Sequence, residues 1–122
     1  MKDTIEVKEK KDSDAFFNWA DPFLISDQLS DEERMISETA ASFANKELSV
    51  RIEKAYNEEI IDEGIFKLMG DTGLLGCTIP EEFGGLGANY VSYGLITREI
   101  EKVDSGYRSM MSVQSSLVMY PI

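Results

Sequence analysis

Apolar residues recur at three- and four-residue spacing through most of this chain, and each run is bounded by a helix start or stop signal. The first run is Ile36, Ala40, Phe43, Ala44, Leu48, Ile52 and Ala55, a single stripe along one long helix. Ser30-Asp31-Glu32-Glu33 opens it as a capping box, with Ser30 as N-cap and Glu33 at the third helical position. A pause is expected near Leu48–Val50. A second helix is predicted from about Glu59 to Met69, with Ile61, Ile65, Leu68 and Met69 inward and Gly70 or Gly73 as its stop. A turn-rich stretch follows from Leu74 to Gly87. The third helix covers about Tyr90 to Val103 and carries Val91, Leu95, Ile96 and Ile100. The fourth covers about Ser105 to Met119 and is stopped by Pro121. Ahead of the first helix, Phe16, Phe17, Trp19, Pro22, Phe23 and Leu24 form an aromatic strap, expected to lie irregularly across the body. With almost no strand signal and no internal repeat, the fold class is all-α with about four main helices.

The fourth helix stands apart. From Ser109 to Ile122 no residue is charged, in a chain that is 29% charged. Such a helix is expected to be covered, and Arg108, the last charge before it, wants an anionic partner. Composition sharpens the contrast. Acidic residues outnumber basic ones 23 to 12, for a net charge of −11. Most of that excess lies in residues 1–63, which read as solvated surface, whereas residues 64–122 are nearly balanced and read as interior. The acidic balance argues against nucleic-acid binding and against docking on anionic membranes.

At 122 residues the chain fits one small domain with one modest core. Residues 1–15 are expected to be a charged flexible tail and residues 16–122 the folded unit. The tail is too acidic for a transit peptide and lacks the apolar stretch of a secretion signal. No apolar run is long enough to span a bilayer, so the expectation is a soluble, cytoplasmic protein. Cys77 is the single cysteine and the chain has no histidine. That excludes an internal disulfide, a His/Cys zinc site and a Cys–His nucleophile, and makes Cys77 a core residue.

On a helical wheel Arg108, Ser112, Ser115 and Ser116 fall along one side of the fourth helix, with Ser109 beside them. One arginine among hydroxyls, free of acids, resembles the wall of a cavity for an anionic, hydrogen-bonding ligand. Each charge-assisted hydrogen bond from such an arginine to a carboxylate is worth about 1.5–3 kcal/mol. A structural reading stands beside it. Asp104 lies four residues before Arg108 and offers an ion pair worth about 0.3–0.5 kcal/mol when exposed, and serines also allow close packing. The carboxylates offer no general base: Glu58, Glu59, Asp62, Glu63, Glu99 and Glu101 sit on acidic or ion-paired stretches that read as solvated. The glycines of the turn-rich stretch lack both the Walker Lys-Ser/Thr and the dinucleotide Gly-x-Gly-x-x-Gly spacing, so they read as structural turns.

The segment Val103-Asp104-Ser105-Gly106-Tyr107-Arg108-Ser109-Met110-Met111-Ser112-Val113-Gln114-Ser115-Ser116-Leu117-Val118-Met119 resembles the glutaryl-CoA dehydrogenase branch of the acyl-CoA dehydrogenase family. Phe17-Asn18-Trp19-Ala20-Asp21-Pro22 is similar to the opening segment of that branch. Gly73-Leu74-Leu75-Gly76 and Pro80-Glu81-Glu82-Phe83-Gly84-Gly85-Leu86-Gly87 resemble motifs of the wider family. The resemblance implies the N-terminal helical domain of an FAD enzyme that oxidises glutaryl-CoA at its α,β carbons and releases carbon dioxide to give crotonyl-CoA. It implies electron-transfer flavoprotein as electron acceptor and a homotetramer of complete subunits. It assigns Arg108 to the distal carboxylate of the substrate, with Ser109 lining the same pocket and Ser112 a weaker candidate. It also implies that the β-domain and the C-terminal helical domain, with the catalytic base and most of the flavin site, are absent here. This chain alone is then expected to be inactive, with no catalytic residue, no metal and no bound FAD of its own. Tyr120 stands where the branch would have histidine. The alternatives are a non-catalytic helical association module from a truncated gene, and part of an acyl-CoA dehydrogenase with another acyl preference.

Overall fold

The computed structural model describes residues 17–122. The charged segment of residues 1–15 and Phe16 of the aromatic strap lie outside the described residues. The described part of the strap is not laid across the body: Phe17, Trp19, Phe23 and Leu24 are exposed. Its only order is local. Phe17 and Trp19 meet edge to face with ring centroids 4.7 Å apart. The Asp21 carboxylate accepts the backbone N–H groups of Ile25 and Ser26, both at 2.8 Å, and so starts the short helix α1, Ile25–Gln28. Those two bonds hold the Asp21 carboxyl below its ordinary range.

Helix α2 spans Asp31–Phe43 and begins with the expected capping box. Ser30 Oγ accepts from Glu33 N at 3.2 Å, and Glu33 Oε2 accepts from Ser30 N at 2.9 Å. The expected pause is a change of winding instead. Ala44–Leu48 forms a π-helical turn in which Ser49 N–H donates to Ala44 O, five residues back. Asn45 Nδ2 donates to Ala41 O at 2.9 Å where the winding changes. The chain continues without a break into α3, Ser49–Asn57.

The second main helix starts later than its apolar pattern suggests. Glu59 takes a left-handed conformation (φ 53), which ends α3, and Ile60 and Ile61 remain exposed. Asp62 then caps α4, Glu63–Asp71, by accepting from Gly64 N at 3.0 Å. A short-side-chain cap at Asp62 outcompetes continuation of the helix through Glu59.

The turn-rich stretch closes on itself. Gly87 N–H donates to Ile79 O at 2.8 Å, Ala88 N–H to Cys77 O at 2.9 Å, and Gly85 N–H to Pro80 O at 3.2 Å. Gly85 is obligatory, because a Cβ there would sit 2.0 Å from Ile79 O. Asn89 caps α5, Tyr90–Glu101, and also donates its Nδ2 to Glu33 Oε1 at 2.8 Å, which ties the starts of α2 and α5 together. Asp104 caps α6, Ser105–Ser112, which runs on as a π-helical stretch, Val113–Met119.

These four main helices, with no strand among the described residues, make the all-α unit the sequence implied. The core gathers Leu48, Ile65, Met69, Ile96, Ile100 and Met111, each fully buried and each worth about 1.5–3 kcal/mol of transfer free energy. Cys77 is in this core, where burial pushes its thiol pKa up and keeps it unreactive.

Candidate functional site

The corner between α5 and α6 brings the charged and hydroxyl groups together. Asp104 is not the partner of Arg108. Its Oδ1 accepts the Tyr107 N–H at 2.7 Å as an N-cap, which holds its carboxylate at the helix start. Arg108 instead reaches back seven residues and donates its Nε–H to Glu101 Oε2. The same carboxylate accepts the Ser105 hydroxyl at 2.6 Å through Oε1. The Ser105 hydrogen bond first, and the Arg108 guanidinium second, hold the Glu101 carboxyl below its ordinary range. The pair is open to solvent, with side chains 36% and 45% exposed for Arg108 and Glu101.

Arg108 and Ser112 line a shallow depression of about 390 Å³ together with Tyr93, Thr97, Arg98 and Glu101. Ser109, expected in the same pocket, is exposed and does not line it. Ser115 and Ser116 also leave the arginine side. Ser115 is 2% exposed and accepts the Gly76 N–H at 3.1 Å, while Ser116 donates to the Ser112 carbonyl. The wheel failed here because it assumed 3.6 residues per turn, and the helix unwinds to π geometry after Ser112.

Three features escaped the sequence reading. Tyr93, Thr97 and Glu101 are spaced four apart on α5 and form the facing wall, a polar stripe that was legible as such. Glu99, read as solvated, is 7% exposed and accepts from Arg98 and Lys102 at 3.0 and 2.8 Å. Tyr107 is buried, and its hydroxyl accepts the Asp62 N–H at 3.0 Å, which fixes the start of α6 against the start of α4.

The glycine-rich turn offers no phosphate cradle. The N–H groups of Gly84, Gly85 and Gly87 all donate to carbonyls of the same turn. Among the described residues no group of His, Cys, Asp and Glu is placed to hold a metal ion, and no helix is long and apolar enough to cross a membrane. The far end of α6 carries an apolar surface made by Val113, Leu117, Val118 and Met119, all of them exposed.

Residues 30–122 match the model of the acyl-CoA dehydrogenase N-terminal domain. The chain is 34% identical over 95 residues to the mitochondrial short-chain specific acyl-CoA dehydrogenase of Homo sapiens, a match that covers 78% of this chain and 23% of that protein. Among solved structures it is similar to a glutaryl-CoA dehydrogenase from Mycobacterium smegmatis in complex with FADH2, with a TM-score of 0.69 and 33% identity over 74% of this chain and 23% of that one. A chain from a study of the electron transferring flavoprotein of Acidaminococcus fermentans is equally similar, with a TM-score of 0.69 and 36% identity over 72% of this chain and 23% of that one. The chain thus spans about a quarter of the length of the relatives it matches. A capped helical unit with this loop, this α5–α6 corner and these matches belongs to the acyl-CoA dehydrogenase family, as its all-α N-terminal domain.

Proposed function

We propose that this domain is part of an FAD-dependent acyl-CoA dehydrogenase of the glutaryl-CoA branch, in which Arg108 anchors the distal carboxylate of the acyl group. The reaction is α,β-oxidation and decarboxylation of glutaryl-CoA to crotonyl-CoA. One observation carries the reading. Among the described residues Arg108 donates its Nε–H to Glu101, and the two line one depression with Ser112 and Thr97 in its wall. A guanidinium held by a carboxylate through its Nε–H has further N–H groups with which to take a second carboxylate bidentately. Ser112 is within the same wall, and Ser109 is a weaker contributor from its exposed position.

The glycine-loop amides are used within their own turn, so that loop offers no cradle for a flavin pyrophosphate. In this reading FAD and the catalytic base are held by a β-domain and a C-terminal helical domain of the longer enzyme. The similarity to a structure in complex with FADH2 supports the cofactor, and the Acidaminococcus fermentans neighbour supports electron-transfer flavoprotein as redox partner. A homotetrameric, cytoplasmic enzyme completes the reading.

A second reading has its own support. Glu101 already balances the charge of Arg108, and the human relative is specific for short acyl chains. Both favour a short, uncharged acyl group. Replacing Arg108 by alanine in the longer enzyme separates the two: the glutaryl reading requires kcat/KM for glutaryl-CoA to fall relative to butyryl-CoA, and an unchanged ratio refutes it. The association-module reading rests on the exposed apolar end of α6. It needs a stop codon after Ile122, whereas the enzyme reading needs an open frame.

A further inference from the structure

The winding of Val113–Met119, the π-helical continuation of α6, decides which hydroxyls stand beside Arg108. On a helix of 3.6 residues per turn, Ser115 would point within about 20° of Arg108. In the structure Ser115 instead follows Tyr107 and Met111 into the interior, because Val113–Met119 is wound more loosely as a π-helix. One contact holds that interior position from across the fold. The Ser115 hydroxyl accepts the buried Gly76 N–H at 3.1 Å, joining residues 39 apart in sequence. Met119, four residues further along the same stretch, also packs against Gly76, with its Cε 3.0 Å from where a Cβ would be. Gly76 itself has φ 65 and so presents its N–H to the helix from a conformation that L side chains avoid.

We infer that Ser115 is a positioning residue for the Arg108 site: its bond to Gly76 holds Val113–Met119 in π winding, which leaves Ser112 as the hydroxyl beside the guanidinium. The inference rests on the reading of Arg108 as a carboxylate anchor. Without the Gly76 bond, the π stretch loses the polar contact that offsets its poorer backbone geometry, and α winding becomes the lower-energy state. Rewinding swings position 115 toward Arg108 and shifts Ser116, Leu117 and Met119 with it. The wall of the depression then changes shape although no residue that touches the ligand has been altered.

Two measurements test this. In the chain itself, NMR couplings across the backbone hydrogen bonds of Val113–Met119 tell five-residue from four-residue pairing. Ser115→Ala is expected to convert the stretch to four-residue pairing, and Gly76→Ala, which disturbs the same contact from the loop side, is expected to do likewise. Retained five-residue pairing in both folded variants overturns the inference. In the longer enzyme, Ser115→Ala is expected to lower kcat/KM for glutaryl-CoA relative to butyryl-CoA by roughly fivefold, about one neutral hydrogen bond. An unchanged ratio also overturns it. Arg108→Ala run alongside keeps the two ideas separate. If Arg108→Ala lowers the ratio and Ser115→Ala does not, only the positioning role fails. If neither lowers it, the anchor reading itself has failed.

Discussion

Arg108 donates its Nε–H to Glu101 across the corner between α5 and α6, while Ser105 donates to the other oxygen of the same carboxylate. The arginine is thus oriented by an anion, and in the proposed reading it offers its remaining N–H groups to a second one. Shape matters here as much as charge. Lysine carries the charge but not the fork, so Arg108→Lys is expected to lose most of what Arg108→Ala loses. For Arg108→Ala the expected change in the glutaryl-to-butyryl ratio of kcat/KM is roughly thirtyfold, the low end for truncating one partner of a charge pair, because the side chain is partly exposed. Steady-state kinetics of the longer enzyme with both thioesters check it.

The acid side of the stability profile follows from three carboxyls held below their ordinary values, Asp21 beside α1 and the two glutamates Glu33 and Glu101. Glu33 is lowered first by the Asn89 amide and then by the Ser30 N–H; Glu101 is lowered first by the Ser105 hydroxyl and then by Arg108. A depressed folded-state pKa means the stabilisation is complete above the unfolded-state value and is lost as pH falls through the folded-state one. The chain is expected to hold its stability at neutral pH and to lose it progressively below pH 4.5. Glu33→Gln is expected to flatten that decline, as measured by urea unfolding across the acid range.

Two glycines predict opposite signs for the same change. Gly85→Ala forces a Cβ to 2.0 Å from Ile79 O, a backbone atom that the turn holds fixed, and is expected to cost more than about 2 kcal/mol. Gly94 lies within α5, is exposed, and has open space where its Cβ would be. Gly94→Ala is therefore expected to stabilise the chain by about 0.5–1 kcal/mol. Thermal unfolding of the two variants against the parent gives both numbers.

Tyr107→Phe removes the acceptor for the Asp62 N–H and leaves the packing of the ring unchanged. The expected loss is about 1 kcal/mol in denaturant unfolding. Hydrogen exchange at Asp62 should quicken more than exchange in the middle of α5.

Much of this architecture was legible from local chemistry. The reciprocal Ser30–Glu33 box, the apolar stripe through Ala40 and Leu48, the glycines of the turn and the burial of Cys77 each rest on neighbours in sequence. What was not legible depends on tertiary geometry. The Glu101 partner of Arg108 lies on another helix, and only the corner at Asp104 brings the two together, so the i,i+4 rule pointed to the wrong acid. Ser115 and Ser116 were assigned to the arginine side because a wheel has no means of anticipating π winding, which carries no residue signature here. Ile61 was counted as inward because its spacing fits a helix, but Asp62 made a better cap and turned the preceding residues outward.

The exposed strap has a practical consequence for anyone who follows this molecule in solution. Trp19 is the single tryptophan of the chain and is 86% exposed, touching Phe17 rather than the core. Its native fluorescence is expected to be that of a water-exposed indole and to change little when the helices melt. Loss of the fold is better read from far-ultraviolet circular dichroism. The same indole instead becomes a clean optical reporter for anything that comes to cover the strap, because a blue shift can arise there without any change in helix content.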